Sequence, residues 1–341
     1  MKILVTGGAG FIGSHFVNHW LEHHRNDRIV TLDKLTYAGD RSNLGDALRS
    51  PRHRFLKGDI GRRGDVDRAL VGVEAVVNFA AETHVDRSLL DAAPFLRTNV
   101  EGTHVLVNAA RLAGVRRFLH VSTDEVYGSV EKGRSPESAA LNPTSPYAAS
   151  KAASDHLVRA QWLTHGFPTI VTRCTNNFGP RQHPEKFLPL FITNALDGRP
   201  LPLYGKGDNV RNWIHVRDHC EALDRVLRRG RPGSIYNVAA DREHRNIDVA
   251  RAILKAVGAP AALLAFVKDR PGHDRRYAPD AGKIRRELGW RARRPFEREL
   301  PGLIEWYRSQ EPWWRRVKDR SFGAYYQKQY GGRLPKNKEK S

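Results

Sequence analysis

The residues best suited to proton transfer fall in two short stretches. Between Ser122 and Gly128 two carboxylates, Asp124 and Glu125, stand side by side directly after an apolar run. Between Ser145 and Lys151 a phenol, Tyr147, and an ammonium, Lys151, lie four residues apart. On a helix that spacing puts both on one face. A free tyrosine titrates near ~10, and a neighbouring ammonium favours the phenolate. Lys151 is therefore expected to lower Tyr147 toward the range of a general base. Two carboxylates at the end of a buried strand repel each other and lose water, so one is expected to stay protonated while the other ionises. An acid beside a base suits an elimination, in which a proton leaves carbon and a hydroxyl leaves as water. In isolation the acid pair reads as a solvated turn, and the Tyr-Lys pair as an exposed helix face. Charge at a buried strand end needs a reason.

A third motif supplies a place for a cofactor. Gly7-Gly8-Ala9-Gly10-Phe11-Ile12-Gly13 follows the first apolar run and opens an amphipathic stretch. Glycines at this spacing permit a tight turn, close backbone approach to a pyrophosphate, and close helix packing. The helix N-terminus then offers free N–H groups to phosphate. The next apolar run ends at Asp33, twenty residues after Gly13. A carboxylate there accepts from ribose hydroxyls and repels a 2′-phosphate, favouring NAD over NADP. Asp59, after the third run, reads either as an adenine contact or as a helix cap.

These motifs require a scaffold that alternates strands with helices. Apolar runs at 3–5, 29–32, 54–56, 75–79, 118–122 and 169–173 predict buried strands. Helical patterns intervene at 14–24, 66–71, 95–113 and 147–165 and return at 218–227, 247–257 and 281–288. Such alternation implies parallel βαβ units. The expected fold is α/β, a Rossmann-type doubly wound parallel sheet with a smaller C-terminal substrate-binding lobe. After Asn176 prolines and glycines thicken. The predicted organisation is therefore a dinucleotide-binding domain over 1–175 with return segments near 212–235, a lobe over 176–330, and a basic tail at 331–341.

Composition narrows the class. With 40% hydrophobic and 28% charged residues among 341, the chain can form a core. Two cysteines, Cys174 and Cys220, exclude a disulfide framework and a CxxC zinc site. No run approaches the ~18 apolar residues of a membrane span. The start, Met1 to Thr6, is too short an apolar run for a signal peptide, so a cytoplasmic protein is expected. The 57 Lys and Arg against 37 Asp and Glu give +20. That surplus is compatible with nucleic acid, an anionic membrane, an anionic small molecule, or only an arginine-rich surface.

The chain resembles the extended short-chain dehydrogenases/reductases and, within them, the dTDP-glucose 4,6-dehydratases. The resemblance runs from residue 1 to about 333 through the stretches 6–15, 32–39, 58–60, 80–88, 122–128, 145–152, 176–186, 201–213 and 269–277. The acid pair after Thr123 separates it from related epimerases and decarboxylases. The resemblance implies dehydration of dTDP-glucose to a 4-keto-6-deoxy sugar, with NAD oxidising C4 and later reducing C6. Tyr147 would take the C4 hydroxyl proton and Lys151 would hold the nicotinamide ribose. Thr123 would hydrogen-bond the C4 oxygen, Glu125 would remove the C5 proton, and Asp124 would protonate the departing C6 hydroxyl. The NAD site would comprise Gly7, Gly10, Phe11, Ile12, Gly13, Asp33, Lys34, Thr36, Asp59, Ile60, Ala80, Thr98, Tyr147, Lys151 and Asn177. The sugar-nucleotide site would comprise His84, Thr123, Asn176, Glu185, Lys186, Pro202, Tyr204, Arg211, Asn246, Arg270 and His273. A homodimer through the helices at 95–113 and 147–165 is implied as well. Phe178, Arg181, Arg217 and Arg245 depart from the family's usual residues, all outside the catalytic set. A 4-epimerase, or a dehydratase for another nucleotide sugar, is the alternative within enzymes.

Two signals point elsewhere. His19-Trp20-Leu21-Glu22-His23 matches the H-x-x-E-H pattern of zinc peptidases, but it sits on the helix after the cradle with no third ligand in view. It is expected to be a solvated helix end, and no metal is expected. The late tryptophans, Trp290, Trp306, Trp313 and Trp314, are interleaved with arginines as in single-strand nucleic-acid binders. No binding motif accompanies them, so inward packing is expected and nucleic acid is not. From Arg285 onward there are 16 basic and 7 acidic residues, mostly outside these motifs.

Overall fold

The structure, a computed structural model, describes residues 1–318 and 323–330. The predicted basic tail at 331–341 lies outside the described residues. Seven strands form the central sheet: β1 (Lys2–Thr6), β2 (Arg28–Asp33), β3 (His53–Lys57), β4 (Ala75–Asn78), β5 (Arg117–Thr123), β6 (Thr169–Cys174) and, after three strands of the lobe, β10 (Ile235–Val238). Their order is β10-β6-β5-β4-β1-β2-β3, and every pairing is parallel. The order reverses at β1 and β4. A doubly wound sheet opens a crevice there, beyond the carboxyl ends of its strands.

Both faces of this sheet are covered, which is why its strands read as continuous apolar runs. Ile3, Val5, Val77, Leu119 and Ile170 point to one core, with Phe16, Trp20, Leu223 and Ile284 from the covering helices. Leu4, Val30, Val76, Phe118 and Val171 point to the other, with Val66, Leu106 and Val158. Successive residues alternate between the two cores, as the period of two in a strand requires. Leu4 has no exposed surface, and truncating such a leucine to alanine costs about 2–5 kcal/mol. The return to the sheet is wider than 212–235: helix Val216–Arg229 packs on helix Phe11–His23, β10 ends at Val238, and Gly282–Leu288 packs on β10.

The lobe has its own core, including Leu188, Phe191, Ile192, Trp213, Ile253, Leu303, Tyr307 and Trp314. Helices Phe187–Leu196, Asn246–Val257 and Phe296–Ser309 surround two small sheets. One is β11 (Glu243–Arg245), β9 (Val210–His215) and β7 (Asn176–Phe178); the other is β12 (Leu264–Val267) with β8 (Leu201–Tyr204). Trp306, Trp313 and Trp314 pack in or against this core, while Trp290 joins the sheet-side core.

Two elements differ from the sequence expectation. The helix expected over 95–113 is interrupted by a π turn at Leu96–Gly102. Inside it Asn99 is buried, bonded to Ser150 Oγ at 2.8 Å and to the backbone of Glu82 in both directions. The histidine-rich end of helix Phe11–His23 is not simply solvated. His19 and His24 both reach Asp224 Oδ2, at 3.0 and 2.9 Å, and His23 stacks on His19.

Candidate active site

Local sequence fixes where the reactive groups stand. Thr123 is the last residue of β5, and its hydroxyl caps the single turn Asp124–Tyr127 by accepting from the Glu125 N–H. Gly128 ends that turn at φ 72°, where a Cβ would meet the Asn142 carbonyl oxygen. Helix Pro146–His165 begins with Ser145 accepting from Ala148 N–H at 3.1 Å and with Pro146 at its first position. Both are strong start signals, and they place Tyr147 and Lys151 in the first two turns, facing the ends of β5 and β6.

A single cleft at the sheet's switch point gathers all fifteen residues predicted for the cofactor and all five predicted for catalysis. Its floor is Gly7 to Gly13. A Cβ on Gly7 would stand 2.7 Å from the Ala80 nitrogen, and one on Gly13 would stand 2.3 Å from the Gly7 oxygen, so only glycine fits. No side chain caps the N-terminus of helix Phe11–His23, and no acid stands in its first turn. That open, positive end fits a pyrophosphate. Asp33 at the tip of β2 accepts from the N–H groups of Ala9 and Leu35, which hold its carboxylate at the rim. Asp59 accepts from Gly61 N–H and pairs with Lys34 at 2.8 Å, acting as a local turn anchor at the cleft edge. The residues present fit NAD: a backbone cradle for the diphosphate and a fixed acid for a ribose.

The acid pair is strongly perturbed. Burial and the adjacent Glu125 charge push Asp124 well above the usual carboxylate range. Burial also raises Glu125, but Arg270, Arg211 and Lys186 oppose it. Of the two, Asp124 is the more strongly driven to keep its proton, while the facing cations favour the charged form of Glu125.

Tyr147 departs from the sequence expectation. Burial and the charge of Glu125 raise its phenol well above 10, opposed by a hydrogen bond with Thr123. Lys151 does not offset this, because its ammonium turns away. It donates to the Val121 carbonyl at 2.9 Å and lies 3.3 Å from His120 Nε2. Burial brings Lys151 itself down to about 8, with Asp155 opposing the fall. Sharing a helix face places two residues as neighbours; it does not decide where a four-carbon stem points.

The sugar-nucleotide set divides. Thr123, Asn176, Glu185 and Lys186 line the same cleft. The other seven do not line it. They form a wall built from the lobe and one segment of the sheet domain. Arg211, 5% exposed, donates to the carbonyls of Asp274 and Arg275 and lies over the Tyr277 ring at 4.2 Å. Arg270 pairs with Asp86 at 2.7 Å, Tyr204 donates to the same carboxylate at 2.8 Å, and His273 meets the Tyr204 ring edge-on. His84 is buried beside Glu185, and Glu185 pairs with Arg87 at 2.9 Å. Asn246 donates its N–H to Asn209, whose side chain in turn reaches Asp274. Pro202 is buried in β8, two residues before Tyr204. The influence of Arg211, Arg270 and Lys186 on Glu125 joins this wall to the reactive floor.

The residues missed from sequence are those that hold others. Asp86 and Arg87 lie inside the stretch 80–88, of which only Ala80 and His84 were singled out. Tyr277 and Asp274 lie inside 269–277, of which only Arg270 and His273 were. His120, beside Lys151, carried no signal beyond its place in a buried strand. The family departures stand outside the cleft. Phe178 packs against His215 and Phe296, Arg181 donates to the Asn43 carbonyl, and Arg245 pairs with Asp248.

Comparison with known proteins gives a consistent picture. The family profile described as GDP-mannose 4,6 dehydratase matches residues 4–301. A dTDP-glucose 4,6-dehydratase from an Actinoplanes species is 48% identical over 319 residues, covering 92% of this chain and all of that one. The low-salt glycan biosynthesis protein Agl12 of Haloferax volcanii is 51% identical over 307 residues, 90% of this chain and 98% of that one. The crystal structure of DesIV, a dTDP-glucose 4,6-dehydratase from Streptomyces venezuelae with NAD and dTDP bound, superposes with a TM-score of 0.92. It shares 50% identity over 93% of this chain and all of that chain.

Proposed function

The chain belongs to the family of nucleotide-sugar 4,6-dehydratases, and from that membership we propose that it is an NAD-dependent hydro-lyase converting dTDP-glucose to dTDP-4-keto-6-deoxyglucose. The observation that carries this reading is the acid pair at the end of β5: a buried Asp124, its carboxyl pushed well above the usual range, beside a half-buried Glu125 that Arg270, Arg211 and Lys186 favour as a carboxylate, both in the cleft with Tyr147. Bound NAD supplies reversible two-electron oxidation, used at the sugar's C4 and reversed at C6. The Gly7–Gly13 backbone holds its diphosphate and Asp33 its adenosine ribose. Lys34, Thr36, Asp59, Ile60, Ala80, Thr98 and Asn177 line its remaining surface. Lys151 would hold the nicotinamide ribose.

The chain's own groups divide the proton work. Thr123 and Tyr147 hold the C4 hydroxyl, and Tyr147 moves its proton. A ketone at C4 acidifies the C5 hydrogen. Glu125 then removes it, its charged form favoured by the cations of the facing wall. Asp124 gives its proton to the C6 oxygen, which leaves as water, and when C6 is reduced Glu125 gives a proton back to C5. Arg211, Arg270 and Lys186 supply the positive field for the nucleotide diphosphate, and guanidinium groups suit that role through paired donors. Incubation with dTDP-glucose tests the reading: the product should show the alkali-induced absorbance of a 4-keto sugar, and no product with NAD present would overturn it.

The same reading makes the protein a cytoplasmic homodimer. No helix of the described residues is long and apolar enough to cross a membrane, and the substrate is a soluble metabolite. Leu96 on the π turn and Leu163 on helix Pro146–His165 are 51% and 68% exposed, which supports burial of these helices against a second copy. Sedimentation at micromolar protein would test it: a monomer would contradict it.

A further inference from the structure

The stretch 80–88 holds a buried acid, Asp86, that no step above uses. It lies in the first turn of helix Val85–Leu90. Its side chain is 5% exposed. One oxygen accepts from Arg270 Nη1 at 2.7 Å and the other from the Tyr204 hydroxyl at 2.8 Å. Both donors come from the lobe: Tyr204 from the end of β8, Arg270 from the loop after β12. The Tyr204 hydroxyl also accepts from Gln329 Nε2 at 2.6 Å. The phenol is thereby fixed at both of its hydrogen-bonding functions.

A buried cation needs an anion nearby, but Asp86 engages only one edge of the guanidinium. Arg270 Nε is buried and has no hydrogen-bond partner among the described residues. An unmatched buried donor is costly. This one belongs to a side chain whose charge also favours the ionised form of Glu125. The acceptor that suits it is an anionic oxygen arriving with the substrate.

We propose that Asp86 is a positioning residue for the nucleotide diphosphate: by fixing Arg270 and Tyr204 of the lobe it presents the remaining guanidinium donors to the ligand's phosphate oxygens. The inference deepens the function proposed above and rests on it. Asp86 touches no reacting atom and acts through Arg270, so its effect should fall on ligand affinity and not on the proton steps.

The test uses full-length protein with NAD bound and dTDP as the probe, titrated by calorimetry. Asp86→Asn keeps the shape and an acceptor for Tyr204 but removes the charge that holds Arg270. It should weaken dTDP roughly tenfold or more, as loss of one partner of a buried charge pair does. KM for dTDP-glucose should rise in parallel, kcat should change far less, and retained NAD should be unchanged. In an Arg270→Gln background the same substitution should have little further effect. Wild-type dTDP affinity in Asp86→Asn, or full additivity with Arg270→Gln, would overturn the inference. If Asp86→Asn does not fold, Asp86→Glu carries the test by keeping the charge and displacing it by one methylene: weakened dTDP with NAD retained supports the inference, and wild-type affinity overturns it. Failure of the unaltered protein to bind dTDP would overturn the substrate reading together with this one.

Discussion

On the cofactor side the cleft is floored by main chain, and beyond its sugar end stands a wall of buried charge. The cradle from Gly7 to Gly13 owes its shape to backbone approaches too close for any Cβ, and its field to an uncapped helix end. The opposite wall depends on Arg211, Arg270 and Lys186, each held by acceptors distant in sequence. A backbone site is organised by local chemistry and recognises what all dinucleotides share. A wall of side chains is organised by tertiary contacts and can be altered one residue at a time. The same contrast governs the reaction: the constant oxidation step sits over the cradle, and the elimination that defines the product depends on the field of the wall.

This contrast can be broken from either side. The largest effect is expected where the two halves meet. Glu125→Gln removes the C5 base and should lower kcat by about 10²–10⁴-fold, with NAD and dTDP still bound by calorimetry. Arg211→Met comes next. It leaves the Asp274 carbonyl with the Asn209 amide as its donor, at a net cost of about 0.5–1.5 kcal/mol for the lost hydrogen bond. KM for dTDP-glucose should rise while retained NAD is unchanged; loss of both would show that the halves are not separable. Gly13→Ala makes the reciprocal change. Its methyl would stand 2.3 Å from the Gly7 oxygen, and overpacking strain of about 1–3 kcal/mol should weaken NAD while dTDP affinity is retained.

The smaller effects lie in pH. The raised pKa of Asp124 makes it an acid at neutral pH. The rate should fall on the basic side as Asp124 deprotonates, and Asp124→Asn should remove that limb along with most of the activity. Lys151 titrates at about 8 when folded, against an ordinary 10.5. Between those values the unfolded chain binds more protons than the folded one, so stability rises with pH across that window. Its buried charge therefore costs stability below about pH 8, and the cost fades as pH rises. Cofactor-free Lys151→Met should melt no lower than wild type at pH 7, with any excess shrinking toward pH 10. A lower melting point at pH 7 would mean that Lys151 is structurally favourable as a cation.

What the sequence makes legible follows the same division. The cradle, Asp33, the acid pair and the Tyr147/Lys151 spacing are local patterns, and the sheet order follows from strand-helix alternation with short connections. The sugar wall is not local. Asp86 lies 118 residues from Tyr204 and 184 from Arg270, and nothing in the chemistry of 80–88 alone says which cation its acid will meet. The rise in the Tyr147 pKa is hidden for a similar reason: it depends on how deeply the fold buries the phenol and on the charge of Glu125 beside it. The +20 charge is only partly absorbed by this account, since Arg308 and Arg315 form exposed ion pairs far from the floor.

The central claim is that one cleft oxidises C4, expels water across C5 and C6, and returns the same reducing equivalent to C6. Incubating the NAD-bound protein with dTDP-glucose deuterated at C4 tests it most directly, read by mass and by the position of the label. The expected product is lighter by one water and carries the deuterium at C6. A product of unchanged mass, or one that has lost water but carries no deuterium at C6, would contradict it.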